Sequence, residues 1–279
     1  VKKFIYCAVI LLLSRGVIFA QEEARPGSGA APPVATSEKL AKKLQNPVAS
    51  LISIPFQNNF EYKLGSEKKG FRYTLKSQPV VPFSVNQDWN FIFRPIVPYI
   101  YQKDVVGRAS QEGFGDMEIE AFFSPKEPGS KGLIWGVGPV LLFPTAASKY
   151  LGSEKYGVGP NGVVLKQSGP WTAGVLANHT WSYAGNDSRQ DICATYLQPF
   201  FSHTSKNGFT ISFSSESTYN WKDREWTVPL IGGVSQVIPF FGRFLSAGIS
   251  GIYYPQTPSC GPKWGIRAVL TILLPEKAS

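Results

Sequence analysis

The residues of this chain able to do chemistry are carboxylates and basic side chains set at alternate positions of apolar stretches. In GDMEIEAFF, Asp116, Glu118 and Glu120 occupy every second place, with Met117, Ile119, Ala121 and Phe123 interleaved. A period of two puts the carboxylates on one face of an extended strand and the apolar side chains on the other. Carboxylates so placed need water or counter-charges. The matching parity of other stretches carries Glu61, Lys63, Arg72, Lys76, Arg94, Glu216 and Arg267. The acids at 116 to 120 and the bases at 72, 76 and 94 are expected to face one another across an interior. Lining a narrow aqueous passage, such charges select solutes by charge and size. Paired with each other, they would instead fill and seal it, and the sequence leaves both readings open.

Other reactive residue types form no such pattern. His179 and His203 have no metal-ligand spacing, and neither do Cys193 and Cys260, whose pairing stays undecided. In ANHTWS, His179 falls on the apolar parity with Ser182 nearby, the one arrangement that suggests a lipid hydrolase. It has no identifiable partner acid, so the reading is no enzyme, no cofactor and no metal. GVGPV and GVGPNG lack the Lys-Ser/Thr and helix of a phosphate loop and read as strand kinks and loop turns.

The elements that position these side chains follow from composition and period. The 279 residues are 43% hydrophobic and 14% aromatic, with 27 Gly and 22 Pro, which favours an all-β chain with frequent turns. Residues 1–20 pair Lys2 and Lys3 with an apolar run from Phe4 to Leu13 and a small residue at Ala20, the pattern of a cleavable signal peptide cut after Ala20. Its removal takes the formal charge from +9 to +6 through Lys2, Lys3 and Arg15. That modest balance, without basic clusters among aromatics, argues against a nucleic-acid partner. Residues 21–36 read as a flexible leader. Residues 37–48 read as a short amphipathic helix capped by Ser37 and stopped by Pro47. Alternation then runs through one β domain, residues 50–274.

Strong strands are expected in LISIPFQNNFEYK, FRYTLKSQ, DWNFIFRPIVPYIYQ, GDMEIEAFF, WTAGVLANHTWSYAG, FTISFSSESTYNW and KWGIRAVLTILL, with a bulge or bend at Pro95 and Pro98. Weaker ones fit near 133–143, 156–167, 191–203, 225–238 and 243–254, for a total of about 12. In WTAGVLANHTWSYAG and FTISFSSESTYNW, aromatic residues sit toward the strand ends with small or aliphatic residues between, which fits a bilayer better than a soluble core. Short links such as SKNG alternate with long ones such as PTAASKYLGSEKY. The pattern predicts an antiparallel up-and-down transmembrane β-barrel with a short N-terminal helix, since a closed barrel leaves no backbone unpaired in lipid. His179, Ser215, Ser217 and Gln236 fall on the lipid parity and resist this scheme, as does the length of SPKEPGSKG.

Taken in order, LQNPVASLISIPFQNNFEY, QPVVPFSVNQDWNFIFRPIVP, GFGDMEIEAFFSPK, IWGVGPVLLFPTA, LGSEKYGVGP, SESTYNW and WTVPL resemble a family of bacterial outer-membrane proteins. That family carries the labels "transporter" and "neuromedin U" and is distantly similar to the family named for the MetA pathway of phenol degradation. The resemblance spans about 44 to 275. It implies a Gram-negative outer-membrane barrel that contacts lipid and passes a small solute, and it supplies no substrate, oligomeric state or site residues.

Overall fold

The computed structural model describes residues 34–274, so the expected signal peptide and most of the expected leader lie outside the described residues. Helix α1 (Val34–Leu44) leads into fifteen strand segments: β1 (Ile52–Leu64), β2 (Gly70–Ser77), β3 (Val81–Ser84), β4 (Trp89–Lys103), β5 (Ser110–Phe114), β6 (Met117–Pro125), β7 (Leu133–Phe143), β8 (Lys155–Ser168), β9 (Trp171–Gly185), β10 (Cys193–Thr204), β11 (Phe209–Ser215), β12 (Ser217–Asn220), β13 (Glu225–Phe240), β14 (Arg243–Gln256) and β15 (Trp264–Leu274). Segments β2 and β3, β5 and β6, and β11 and β12 each act as one interrupted strand. Every neighbour is antiparallel, and β15 pairs β1 from Ile52↔Leu274 to Tyr62↔Trp264. The sheet therefore closes as a 12-strand up-and-down barrel with no free edge.

Proline explains the interruptions. Strand β4 runs unbroken through Pro95 and Pro98, and the expected bend falls on its partner, where β5 gives way to β6 at Gly115 and Asp116. Between β11 and β12 the register is continuous on both sides, and it places Glu216 opposite Pro229 and Ser215 opposite Pro199. Those prolines have no N–H to give the ladder. The two glycine strings lie inside β7 and β8, so none of their residues forms a loop turn. They are needed for close approach: a Cβ on Gly159 would stand 1.6 Å from the His179 carbonyl oxygen, and one on Gly138 would stand 2.2 Å from that of Ala121.

The helix starts before Ser37, which therefore does not cap it. Ser37 is instead the small buried residue that lets α1 pack against the turn at Gly208, where an added Cβ would meet the Ser37 Cβ at 3.0 Å. Within α1, Glu38 pairs with Lys42 at 2.6 Å, one turn on. Its apolar face joins Ala41 to Ala49, Leu51, Val237 and Leu273, with Leu40, Leu44 and Phe244 packed alongside. The helix thus closes the rim at which β1 begins and β15 ends, called here the near rim.

Connections at the near rim include the tight turns at 169–170, 205–208 and 241–242. The segment at 126–132 contains a single 3-10 turn, Ser130–Gly132, which accommodates its extra length. The far rim carries the longer loops, 144–154, 186–192 and 257–263 among them. The expected alternation of short and long links is present.

Candidate functional site: a charged belt between two chambers

Inward and outward parities separate two unlike walls. Facing out, Val137, Ile249 and Phe213 are 52%, 57% and 59% exposed, an apolar surface that water would penalise. Aromatic rings gather toward the strand ends. Trp89 with Trp135 and Trp171 with Phe201 lie toward the near rim, and Tyr62 stacked on Trp264, Tyr156 with Tyr183, and Tyr219 with Trp226 lie toward the far rim.

The polar residues on this outer wall find partners. Ser215 and Ser217 bond each other at 2.8 Å, and Gln236 donates to the Asn207 carbonyl at 2.8 Å. Asn58 accepts from the Tyr73 hydroxyl at 2.8 Å. His179 Nδ1 lies 2.7 Å from Thr195 Oγ1, which also accepts from Trp221 Nε1 at 2.8 Å, while Cys193 Sγ stands 3.7 Å from His179 Nε2. No carboxylate is bonded to that histidine among the described residues. Cys193 and Cys260 are both free thiols.

Inside, β1, β4, β6, β9 and β15, with the breaks between β2 and β3 and between β11 and β12, converge on a belt of charge. Arg94 Nη1 contacts Glu120 Oε2 at 3.1 Å, and Arg94 Nη2 donates to Gln78 Oε1 at 2.9 Å. Asn178 donates to Glu120 Oε1 at 3.2 Å. Arg267 grips Glu216 with two bonds, 2.6 and 2.9 Å, and donates a third to Asn59 at 2.7 Å. The planar fork of arginine suits such two-point recognition of a carboxylate.

The belt separates two cavities. A chamber of about 310 Å³ lies between the belt and residues 43–51. A second, of about 440 Å³, opens beyond the belt, with Lys76, Asp116, Glu118, Asn178, Thr180 and Thr218 in its wall. Gln57, Gln78, Arg94, Gln198 and Glu216 line both, so the chambers meet at the belt.

The structure brings Lys76, Arg94, Asp116, Glu118, Glu120, Glu216 and Arg267 to these chambers and distributes the remaining expected charges elsewhere. Glu61 accepts from the Tyr254 hydroxyl, and Arg72 donates to Gln102 at 3.0 Å. Lys63 is corrected: it lies exposed on the bulge between Tyr62 and Leu64 with φ +62°, and so leaves the inward parity. The expected opposition of acids and bases across the lumen also changes. Arg94 and Glu120 are direct cross-strand neighbours, whereas the pair that spans the interior is Arg267 with Glu216, from β15 to the β11–β12 break.

Asp116 has a positioning task besides lining the outer chamber. Its carboxylate accepts from the Ala146 and Ser153 amides at 3.1 and 2.6 Å and from Ser153 Oγ at 2.6 Å, which holds loop 144–154 at the mouth. Arg189 reaches the Gly152 carbonyl at 2.8 Å, and Lys155 meets Asp191 at 2.9 Å, so neighbouring loops are tied together there.

The reading from sequence missed two sets of interior residues. Tyr196 and Gln198 stand on the inward parity of β10, a signal present in ATYLQPF but diluted by the apolar residues around it. It also missed that part of the interior is dry. Ile92, Phe122, Leu165, Leu176 and Val163 point inward and enclose Val48.

No protein-family model matches the sequence, and no curated protein matches it either. Among solved structures, the crystal structure of an outer membrane channel from Pseudomonas putida F1 aligns with TM-score 0.64 at 12% identity, covering 90% of this chain and 100% of that one. The beta domain of the Bordetella autotransporter BrkA aligns with TM-score 0.45 at 12% identity over 81% of this chain and 100% of that one, a likeness too low to support inference. The first likeness extends across the barrel, and at that identity it is a likeness of fold.

Proposed function

We propose that the chain is a Gram-negative outer-membrane barrel, exported by a cleavable signal peptide within residues 1–20, that passes small polar solutes. The observation that carries this reading is the pair of polar chambers meeting at a charged belt inside a barrel whose outer wall is apolar. The solved channel of similar fold supports it. The belt acts as the filter: fixed charges of both signs impose a transverse field on whatever crosses. Residues 34–51 close the inner chamber and limit the flow. Lipid contacts only the outer wall, and no catalysis is assigned.

Planar-bilayer recording of the refolded chain tests this. Small conductance steps that enlarge when residues 21–48 are deleted are expected. Silence from both proteins would favour a sealed binding or structural barrel. Heat-modifiable gel migration and recovery in the outer-membrane fraction check the location, and a mature protein released in soluble form would refute it.

A further inference from the structure

The outer chamber holds six formal charges in its wall, and four of them, Arg94 among them, are committed. Glu120 is engaged by Arg94 and Asn178, Glu216 by Arg267, and Asp116 by the donors of loop 144–154. The remaining two, Lys76 and Glu118, have no ion pair or hydrogen bond among the described residues, although both line the chamber. They stand on β2 and β6 with β4 between, opposite Pro98 and Ile96, so their backbones are about 12 Å apart, two strand spacings across and two residues along. One stretch of wall therefore offers both an uncommitted ammonium and an uncommitted carboxylate.

We propose that this chamber binds a small zwitterion, a solute with one ammonium and one carboxylate, oriented with its ammonium toward Glu118 and its carboxylate toward Lys76. A simple anion or cation answers one of the two charges and leaves the other facing it with like sign, which costs binding. A molecule carrying both signs answers both. Asn178, Thr180 and Thr218 supply neutral donors and acceptors, and a volume of about 440 Å³ lies within the roughly 300–1,000 Å³ usual for small-molecule sites. The inference rests on the reading of the barrel as open to outside solute.

The test uses four probes on one carbon skeleton: 4-aminobutyrate, butyrate, butylammonium and butyramide, each added to the full chain in detergent and read by saturation-transfer NMR. The zwitterion is expected to bind at least about tenfold more tightly than the other three. Lys76→Met should abolish discrimination against the cation, and Glu118→Gln should abolish discrimination against the anion. The double exchange Lys76→Glu with Glu118→Lys should restore zwitterion preference in each single variant's place, which a purely structural role for either residue would not do. Equal binding of all four probes, or no zwitterion signal, overturns the inference, provided heat-modifiable migration shows the barrel folded. Conductance of the same preparation separates the two readings. Conductance without zwitterion preference leaves the channel standing and removes this site, whereas zwitterion preference without conductance leaves a sealed binding barrel.

Discussion

The two halves of the lumen are built by the same strands and have opposite character. On β4 the inward sequence passes from Ile92 to Arg94, on β6 from Phe122 to Glu120, and on β9 from Leu176 to Asn178. Each step is two residues, about 7 Å along a strand. Over that distance the interior changes from a cluster in which Ile92, Phe122 and Leu176 are 0% exposed to a belt of arginines and glutamates. The dry half needs a partner that the barrel wall does not supply, and Val48 from the segment after α1 fills that place. The charged half needs none, because its members pair with one another. A barrel of this size can therefore hold a packed cluster on the β4–β9 side of its near half, beside the inner chamber, and a charged belt two residues further along the same strands, with the N-terminal segment filling the dry side.

The largest effect expected from breaking this contrast is on the dry side. Phe122→Ala removes a fully buried ring from the cluster and should cost about 3–5 kcal/mol of stability, read as a lower urea midpoint for the barrel folded in liposomes. Ion selectivity should stay unchanged, since the belt is not touched. A stability loss below about 1 kcal/mol would show that the near half is not packed as a core.

On the charged side, Arg267→Ala leaves Glu216 without its two-point partner and frees Asn59. Both side chains are mostly shielded, at 11% and 18% exposed, so the loss should be about 3 kcal/mol, the lower end for a broken buried pair because lumen water can reach the orphaned carboxylate. Here selectivity should shift toward cations. Arg267→Lys keeps the charge and loses the fork, so it should recover selectivity better than stability. Equal effects of the two substitutions on both readouts would remove the distinction between charge and geometry.

Much of this contrast was written in the sequence as parity, and parity alone could not divide the halves. Alternation located the strands: the weak stretch expected at 243–254 is β14, Arg243–Gln256, and the one at 225–238 is β13, Glu225–Phe240. It also oriented Glu120, Glu216 and Arg267. What it could not show is that Ile92 and Arg94, on the same face, meet different surroundings, because that depends on where residues 44–51 dock after the barrel closes. Lys63 was misread for a related reason, since a one-residue bulge resets the parity and leaves no mark in a local pattern. Ser37 looked like a helix cap and serves as a packing residue, because the contact that uses it comes from Gly208, far along the chain.

That contact gives a smaller test of the boundary. Gly208 has φ +81° and faces Ser37, so Gly208→Ala introduces both backbone strain and a clash at 3.0 Å. A cost of about 1–2 kcal/mol is expected from the backbone alone. The informative readout is conductance: loosening α1 from the 205–208 turn should raise the open probability of the inner chamber, while Gly132→Ala, also at positive φ but with nothing near its added Cβ, should not.

The smallest effect belongs to the far rim, where the charges are held by loops. Lys155 and Ser182 both donate to Asp191, and those bonds together with the Lys155 charge hold its carboxyl below the ordinary carboxylate range. A carboxyl with a lower pKa in the folded protein binds fewer protons there than in the unfolded chain. Its contribution is therefore complete above the unfolded value of about 4 and is lost as pH falls through the folded value. Asp191→Asn should lower the unfolding midpoint slightly at pH 7, and the difference from the wild type should vanish as pH falls through the folded value of the Asp191 carboxyl. The side chain is 59% exposed, so added salt should erode the difference at pH 7, whereas the belt pair of Arg267 and Glu216 should resist the same salt. If salt weakened both equally, the belt would be as open to solvent as the rim, and the distinction between a shielded belt and an exposed rim would fail.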